Sequence, residues 1–292
     1  MPELPEVEVV RAGLAPAVTG ARVAAVSVLD ERSLRRHDGP AEDFAGRLTG
    51  RGMLAPRRRG KFLWIPLDDA DEAVVVHLGM SGQVLLRTPG TDDPRTRIRL
   101  ELEHPGHGPL RVNFVDQRIF GSMAIDRLVP TADSDELIPS QVAHIARDPI
   151  DPLFDDARFH ARLRSRQTTV KRALLDQTLV SGIGNIYADE SLWAARIHYD
   201  QPTSALSLPK SKLLLAEVRA VLARALEEGG TSFDTQYLNV NGQSGYFAHS
   251  LRAYGQQGKP CPRCGRPIVR EQFMNRGSHF CPYCQRVRPA ST

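Results

Sequence analysis

The chain begins Met-Pro-Glu-Leu-Pro-Glu, and its second residue is the first that could do chemistry. Removal of Met1, which a small following residue permits, leaves Pro2 with a free secondary amine. Such an amine attacks an electrophilic sugar or aldehyde carbon and forms an iminium ion, the covalent strategy of a lysine Schiff base. An α-amine titrates near ~7.7–8.0, so a useful fraction is unprotonated at neutral pH. Glu3 stands beside it as an acid or base, and Glu6 lies one helical turn further on. The same residues also suit a plain helix start, with Pro5 in the first turn and Glu6 and Glu8 at the positive end.

The second chemical cluster is at the other end. All four cysteines form two C-x-x-C pairs, Cys261 with Cys264 and Cys281 with Cys284, separated by sixteen residues. That spacing suits four thiolates on one tetrahedral Zn2+ ion. Two disulfides are the alternative, and a cytoplasmic chain with no cysteine elsewhere argues against them. A redox C-x-x-C would accompany a βαβ pattern, which is absent. Four protein ligands close the coordination shell, so the expected ion is structural. The intervening hairpin should have its tip between Val269 and Phe280 and carry Arg270 and Arg276.

Elements must position these groups. At 292 residues, 41% hydrophobic and 25% charged, the chain can bury a sizeable core and divides most naturally into two domains and a small module. Val7, Val10, Leu14 and Val18 follow helical spacing. Strands follow: RIRLELE (97–103) puts Ile98, Leu100 and Leu102 on one face, and LRVNFV (110–115) does the same with Leu110, Val112 and Phe114. An acidic, proline-bearing stretch over 131–156 reads as a linker. Helical patterns come next, in TVKRALLDQTLV, IYADESLWAA and 211–230, the last ended by Gly229 and Gly230. The predicted class is α+β multidomain. A β-sandwich with a leading helix occupies 1–130, the linker 131–156, a helical domain 157–250 and a four-cysteine zinc finger 251–292.

Charge suggests the partner. The formal net charge is +4, but residues 251–292 carry +7, leaving −3 for the rest. Residues 46–61 (six Lys/Arg, including Lys61) and 157–172 (six, including Lys171) contain no acid. Three basic islands in a nearly neutral chain point to a polyanion. No apolar run approaches the ~20 residues that span a bilayer, and the N-terminus lacks the basic and apolar regions of a signal peptide. The expected location is the cytoplasm, with no membrane association.

PELPEVE, RRGKFL, HLGMSG (77–82), DQRIFG (116–121), SGIGNIYADE (181–190) and the four-cysteine finger occur here in one order. Together they resemble the formamidopyrimidine-DNA glycosylase family of the bacterial MutM (Fpg) type, within the Fpg/Nei superfamily, over residues 1 to about 286. The resemblance implies a β-sandwich, then a helix–two-turns–helix domain, then a zinc finger. It implies Pro2 as the nucleophile at C1′ of a damaged nucleotide, Glu3 as the general acid that helps open the deoxyribose, and Lys61 near the phosphates and the lesion. Met80, Arg118 and Phe120 match the residues that fill the gap left by an extruded base and probe its partner. An unfilled gap costs a few kcal/mol. Asn185 opens a helix after Gly182 and Gly184, where backbone N–H groups can bind phosphate. Arg276 matches the finger's phosphate-gripping arginine, and Lys171 lies in a basic segment expected to touch DNA. Gln117 and Ile119 depart from the family's probing loop, and Gln167 stands where a basic residue is usual.

Residues 229–247, rich in Gly, Ser, Asn and aromatics, match the segment that caps an everted oxidised purine. Glu6, Thr231, Ser232 and Tyr237 are the candidate pocket residues. The resemblance thus implies a monomeric, bifunctional glycosylase and abasic-site lyase of base excision repair. It would act on double-stranded DNA containing oxidised bases or abasic sites, excising 8-oxoguanine and formamidopyrimidines and nicking by β,δ-elimination. Two alternatives remain open: an endonuclease VIII-like enzyme for oxidised pyrimidines, and a catalytically silent DNA-binding zinc protein.

Overall fold

Val7, Val10, Leu14 and Val18 are buried along one stripe of a helix, α1 (Leu4–Val18), as their spacing predicts. A computed structural model describes residues 2–68, 71–231, 240 and 245–288. They form two units, Met1–His144 with Gly229–Tyr246, and Ile145–Glu228 with Phe247–Thr292.

In the first unit α1 is followed by β1 (Arg22–Val28), α2 (Ala41–Leu48), β2 (Arg57–Arg59), β3 (Phe62–Pro66), β4 (Glu72–His77), β5 (Gly82–Arg87), β6 (Thr96–His104), β7 (Gly108–Asp116), β8 (Ser122–Pro130) and β9 (Leu137–Pro139). One sheet has the order β1-β6-β7-β5 and the other β2-β3-β4-β8-β9. All named strand pairs here are antiparallel. Ile98 pairs with Phe114, Leu100 with Val112 and Leu102 with Leu110, so the two alternating runs put their apolar residues on one face. That face shares a core with Leu63, Ile65, Val74 and Val76 of the other sheet and with the stripe of α1. At about 1.5–3 kcal/mol per fully buried large apolar side chain, this core holds α1, and with it Pro2 and Glu3, against the sandwich.

The stretch 131–156 does not behave as a free linker. Leu137–Pro139 adds to the sheet edge beside β8, and Ile138 is buried. The Ser140 hydroxyl and the Gln141 N–H both donate to Asp126. The boundary falls instead at His144, within that stretch.

The second unit contains α3 (Asp156–Ser165), α4 (Val170–Leu175), α5 (Asn185–Ala195), α6 (Leu208–Glu227), and a hairpin of β10 (Val269–Phe273) and β11 (Arg276–Phe280). The helices and the cysteine module therefore belong to one unit, while Gly229–Tyr246 goes to the first. TVKRALLDQTLV does not form one helix. It stops at Leu175 because the Asp176 carboxylate accepts the Thr178 N–H and hydroxyl, a local turn that competes with helix continuation. α6 starts earlier than its apolar pattern, at Leu208, where Ser207 caps the Lys210 N–H and Pro209 sits in the first turn.

Candidate functional site

Pro2 is buried, and Glu3, only 1% exposed, occupies the N-cap position of α1. Glu6 organises this end. Its Oε2 accepts the Glu3 N–H at 2.8 Å, and its Oε1 accepts the Thr231 N–H and hydroxyl, each at 2.8 Å. Two of the four expected pocket residues, Glu6 and Thr231, are thus in contact; Ser232 and Tyr237 lie outside the described residues. The segment that carries Thr231 is closed at its base by tight glycine packing. A Cβ on Gly245 would lie 2.3 Å from the Gly229 carbonyl oxygen and 2.4 Å from that of Gly230. Val240 is buried against Gly13, where a Cβ would meet its Cγ2 at 2.6 Å, and its carbonyl accepts the Leu86 N–H.

Lys61 sits in the two-residue turn between β2 and β3, where Gly60 takes the left-handed φ of +57° that a tight hairpin demands. This hairpin is tied to α1 by the Glu8–Arg58 ion pair at 2.9 Å, and Glu8 also binds Arg11. Next to Lys61, Phe62 packs on the His77 ring at 4.7 Å between centroids. Burial, reinforced by Arg36, Arg35 and Lys61, pushes the His77 pKa down to about 4, so the imidazole is neutral at physiological pH.

The two expected wedge loops interlock. Asp116, fully buried at the end of β7, accepts the N–H groups of Arg118, Ile119 and Gly121 and binds the Ser81 hydroxyl. Gly79, at φ +64°, packs so closely that a Cβ would lie 2.2 Å from the Phe120 carbonyl oxygen. Met80 and the 117–121 loop are therefore held as neighbours by a buried carboxylate and a glycine. Met80 is partly exposed and lies outside the sandwich core. Phe120 is 38% exposed, with the Arg118 guanidinium 5.1 Å from its ring centroid. An exposed aromatic beside a cation on a rigid loop is suited to stacking against bases.

In the second unit the Lys171 expectation needs correction. This side chain is fully buried, and its ammonium bonds to Asp189 and the Ser278 hydroxyl, each at 2.6 Å. A cation enclosed in this way cannot reach a phosphate; it ties α4 to α5 and β11. The other Asp189 oxygen accepts the His279 N–H, and Glu190 accepts the N–H groups of Arg252, Ala253 and Tyr254. The acids of the GNIYADE run are structural anchors. Asn185, at the start of α5, donates its amide to the Gly277 carbonyl at 3.0 Å, which places the helix N-terminus against the hairpin that carries Arg276. Arg276 is exposed, the first residue of β11 after a tight turn at Met274 (φ +54°).

The cysteine sulfurs all lie within 4.8 Å of one another, with Cys264 and Cys281 at 3.5 Å. A disulfide needs about 2.05 Å, whereas tetrahedral Zn–S bonds of ~2.3 Å hold sulfurs apart at close to the observed spacing. The cluster fits zinc. Trp193 of α5 points its indole N–H at Cys261, and Gln285 bridges the Cys281 N–H to the Ile197 carbonyl. The expected hairpin between the pairs, with Arg270 and Arg276, is present. His104 is a turn residue whose Nδ1 accepts the Gly106 and His107 N–H groups.

Sequence reasoning missed Arg35, which donates to the Ile119 carbonyl at 2.7 Å and also to the Phe120 carbonyl. No signal in the sequence links it to a loop more than eighty residues away. It also missed Asp116, for which the Gly-bounded DQRIFG segment is a usable cue.

Comparison with known proteins divides the chain into three successive domains. Residues 1–123 match the formamidopyrimidine-DNA glycosylase N-terminal domain, 145–237 the formamidopyrimidine-DNA glycosylase H2TH domain, and 258–287 a zinc finger found in FPG and IleRS. The chain is 67% identical over 297 residues to formamidopyrimidine-DNA glycosylase of Leifsonia xyli, covering 98% of this chain and 100% of the relative. It is 54% identical to that of Streptomyces avermitilis, covering 98% of each. Among solved structures it resembles Lactococcus lactis Fpg bound to abasic-site DNA (TM-score 0.82, 30% identity, 97% of this chain and 99% of that one). It also resembles Thermus thermophilus MutM (TM-score 0.81, 34% identity, 99% and 100%). Three successive domain matches and full-length identity of this order place the chain in the formamidopyrimidine-DNA glycosylase family.

Proposed function

We propose that this chain is a DNA glycosylase and abasic-site lyase that removes oxidised purines from duplex DNA through Pro2. The observation that carries the reading is the buried Pro2–Glu3 start of α1, held by Glu6 to the segment that opens at Thr231. With Met1 removed, the Pro2 nitrogen attacks C1′ of the lesion. The glycosidic C–N bond breaks, and its electron pair leaves with the base, which takes up a proton. Ring opening gives the iminium, and Glu3 protonates O4′. Loss of the 2′ proton expels the 3′ phosphate, and loss of the 4′ proton expels the 5′ phosphate. Lys61 holds the flanking backbone charge. Met80, Phe120 and Arg118 occupy the gap in the stack, and Arg118 reads the opposite base. Arg276 and the start of α5 grip phosphates. Zinc, when bound, supplies rigidity to the finger and takes no part in bond breaking. DNA as the substrate places the enzyme in the bacterial cytoplasm.

Borohydride tests the chemistry by reducing the iminium to a stable amine. The expected product is a protein–DNA adduct at residue 2, and Pro2→Gly should bind DNA yet lose most glycosylase activity. An adduct through a lysine, with Pro2→Gly fully active, overturns the assignment. Lesion class is tested separately. Excision of 8-oxoguanine should be faster opposite C than opposite A, and thymine glycol should be a slow substrate. A preference for thymine glycol would overturn the oxidised-purine assignment.

A further inference from the structure

The 117–121 loop is held from two sides by groups of opposite character. Asp116 gathers its N–H groups, those of Arg118, Ile119 and Gly121. Arg35, which follows the short helical turn Glu31–Leu34, gathers its carbonyls, those of Ile119 and Phe120. Between them Ile119 sits at φ +56°. A β-branched residue in the left-handed region is a genuine outlier, and it persists only where the surroundings over-determine it. The strained dihedral lies between the two side chains of interest. If Ile119 relaxed to an extended conformation, the peptide planes on either side would rotate. Arg118 and Phe120 would then leave their present arrangement, with the guanidinium over the ring.

We propose that Arg35 is a positioning residue for opposite-base reading: by bridging the Ile119 and Phe120 carbonyls it holds Ile119 left-handed and so presents Arg118 and Phe120 together. This rests on the reading of the loop as the element that probes the partner of an extruded base. The planar guanidinium suits the task, since two parallel N–H donors can bridge adjacent carbonyls where an ammonium offers a point charge. Arg35 touches neither the sugar nor the base in this scheme, and its effect passes through the loop.

The test compares Arg35→Ala, Arg35→Lys, Ile119→Gly and the Arg35→Ala/Ile119→Gly double variant on two substrates. The first is duplex DNA with 8-oxoguanine opposite C or A. The second is a single-stranded abasic oligonucleotide trapped with borohydride, which has no partner base to read. Arg35→Ala should slow excision opposite C by about tenfold, the scale for loss of a charge-assisted hydrogen bond, and should narrow the C-over-A ratio. Arg35→Lys should fall between it and the parent. Trapping of the single strand should be unchanged. Glycine occupies the left-handed region without penalty, so Ile119→Gly in the Arg35→Ala background should restore most of the lost rate and ratio. An unchanged C-over-A ratio in Arg35→Ala, an equal loss of single-strand trapping, or failure of Ile119→Gly to rescue overturns the role. Failure of the parent protein to form a borohydride adduct through residue 2 on duplex abasic DNA overturns the Pro2 reading itself, and is thereby distinct from the other outcomes.

Discussion

His77 ends β4 beside Phe62, in reach of the fields of Arg36, Arg35 and Lys61. In the unfolded chain it takes up a proton below about 6.5, whereas in the folded state it resists until about 4. Between those values the unfolded state binds more protons, so stability falls as pH falls through the window. Urea unfolding midpoints between pH 7 and pH 4 should drop less in His77→Gln than in the parent. An identical pH dependence would remove His77 from the account. A second residue-scale prediction concerns Lys171. Lys171→Ala leaves Asp189 buried without its counter-charge and should cost about 3–5 kcal/mol in denaturant unfolding. A surface phosphate contact would instead change DNA affinity and leave stability nearly untouched, so the two roles separate in one measurement.

At the scale of elements, the finger hairpin is joined to α5 by side chains of a single short run. Asn185, Asp189 and Trp193 reach Gly277, His279 and Cys261 respectively. The position of Arg276 is thus set by α5 as much as by the metal. Arg276→Ala should retain zinc, weaken duplex binding and shallow the dependence of log K on log salt by roughly one phosphate's worth. Equal binding across salt concentrations would contradict the assigned contact. β6 was legible in the sequence because burial alternates along it; β7 alternates in residue type, although its polar residues Arg111 and Asn113 are also buried, bonded to Glu101 and Asp93. The extent of α4 was not legible, since its end depends on a side-chain turn at Asp176. The basic islands were only half legible. In the first, Arg47 pairs with Asp43, Arg51 with Asp68, Arg58 with Glu8 and Arg59 with Glu136. In the second, Arg166 pairs with Asp176 and Lys171 with Asp189. A charge count over a window cannot see acids beyond its edge, whether one turn away, as Asp43 is from Arg47, or far along the chain, as Glu136 is from Arg59. The 157–172 stretch, read chiefly as charge, also concealed α3, whose start is capped by Asp155. The helix start at Pro2–Glu3 and the cysteine cluster were legible because each needs only local spacing. The clamp on Ile119 was invisible because it closes over a long separation.

For the whole molecule, zinc is the natural variable. Thiolate ligation and folding of the module are coupled, so a chelator should unfold the hairpin. In hydrogen exchange, amides of β10 and β11 should lose protection while those of β6 and β7 keep theirs. Uniform loss across both units would show that the metal supports more than its own module. Cys261→Ser should reproduce the chelated state without chelator.

The assignment of Gly229–Tyr246 to the first unit, between two stretches of the second, bears on how the chain is made. Val240 fills the gap over Gly13 and receives the Leu86 N–H, and Thr231 is the partner of Glu6. A ribosome delivers α1 and both sheets long before it delivers these residues. The sandwich must then emerge with an apolar notch at Gly13 and with Glu6 lacking its two Thr231 donors, and wait for four further helices to be synthesised. Domain-by-domain maturation from the N-terminus therefore cannot finish the first domain first. The end of the chain that is made earliest is completed among the last, so an mRNA truncated after α6 would yield the sandwich without its final piece.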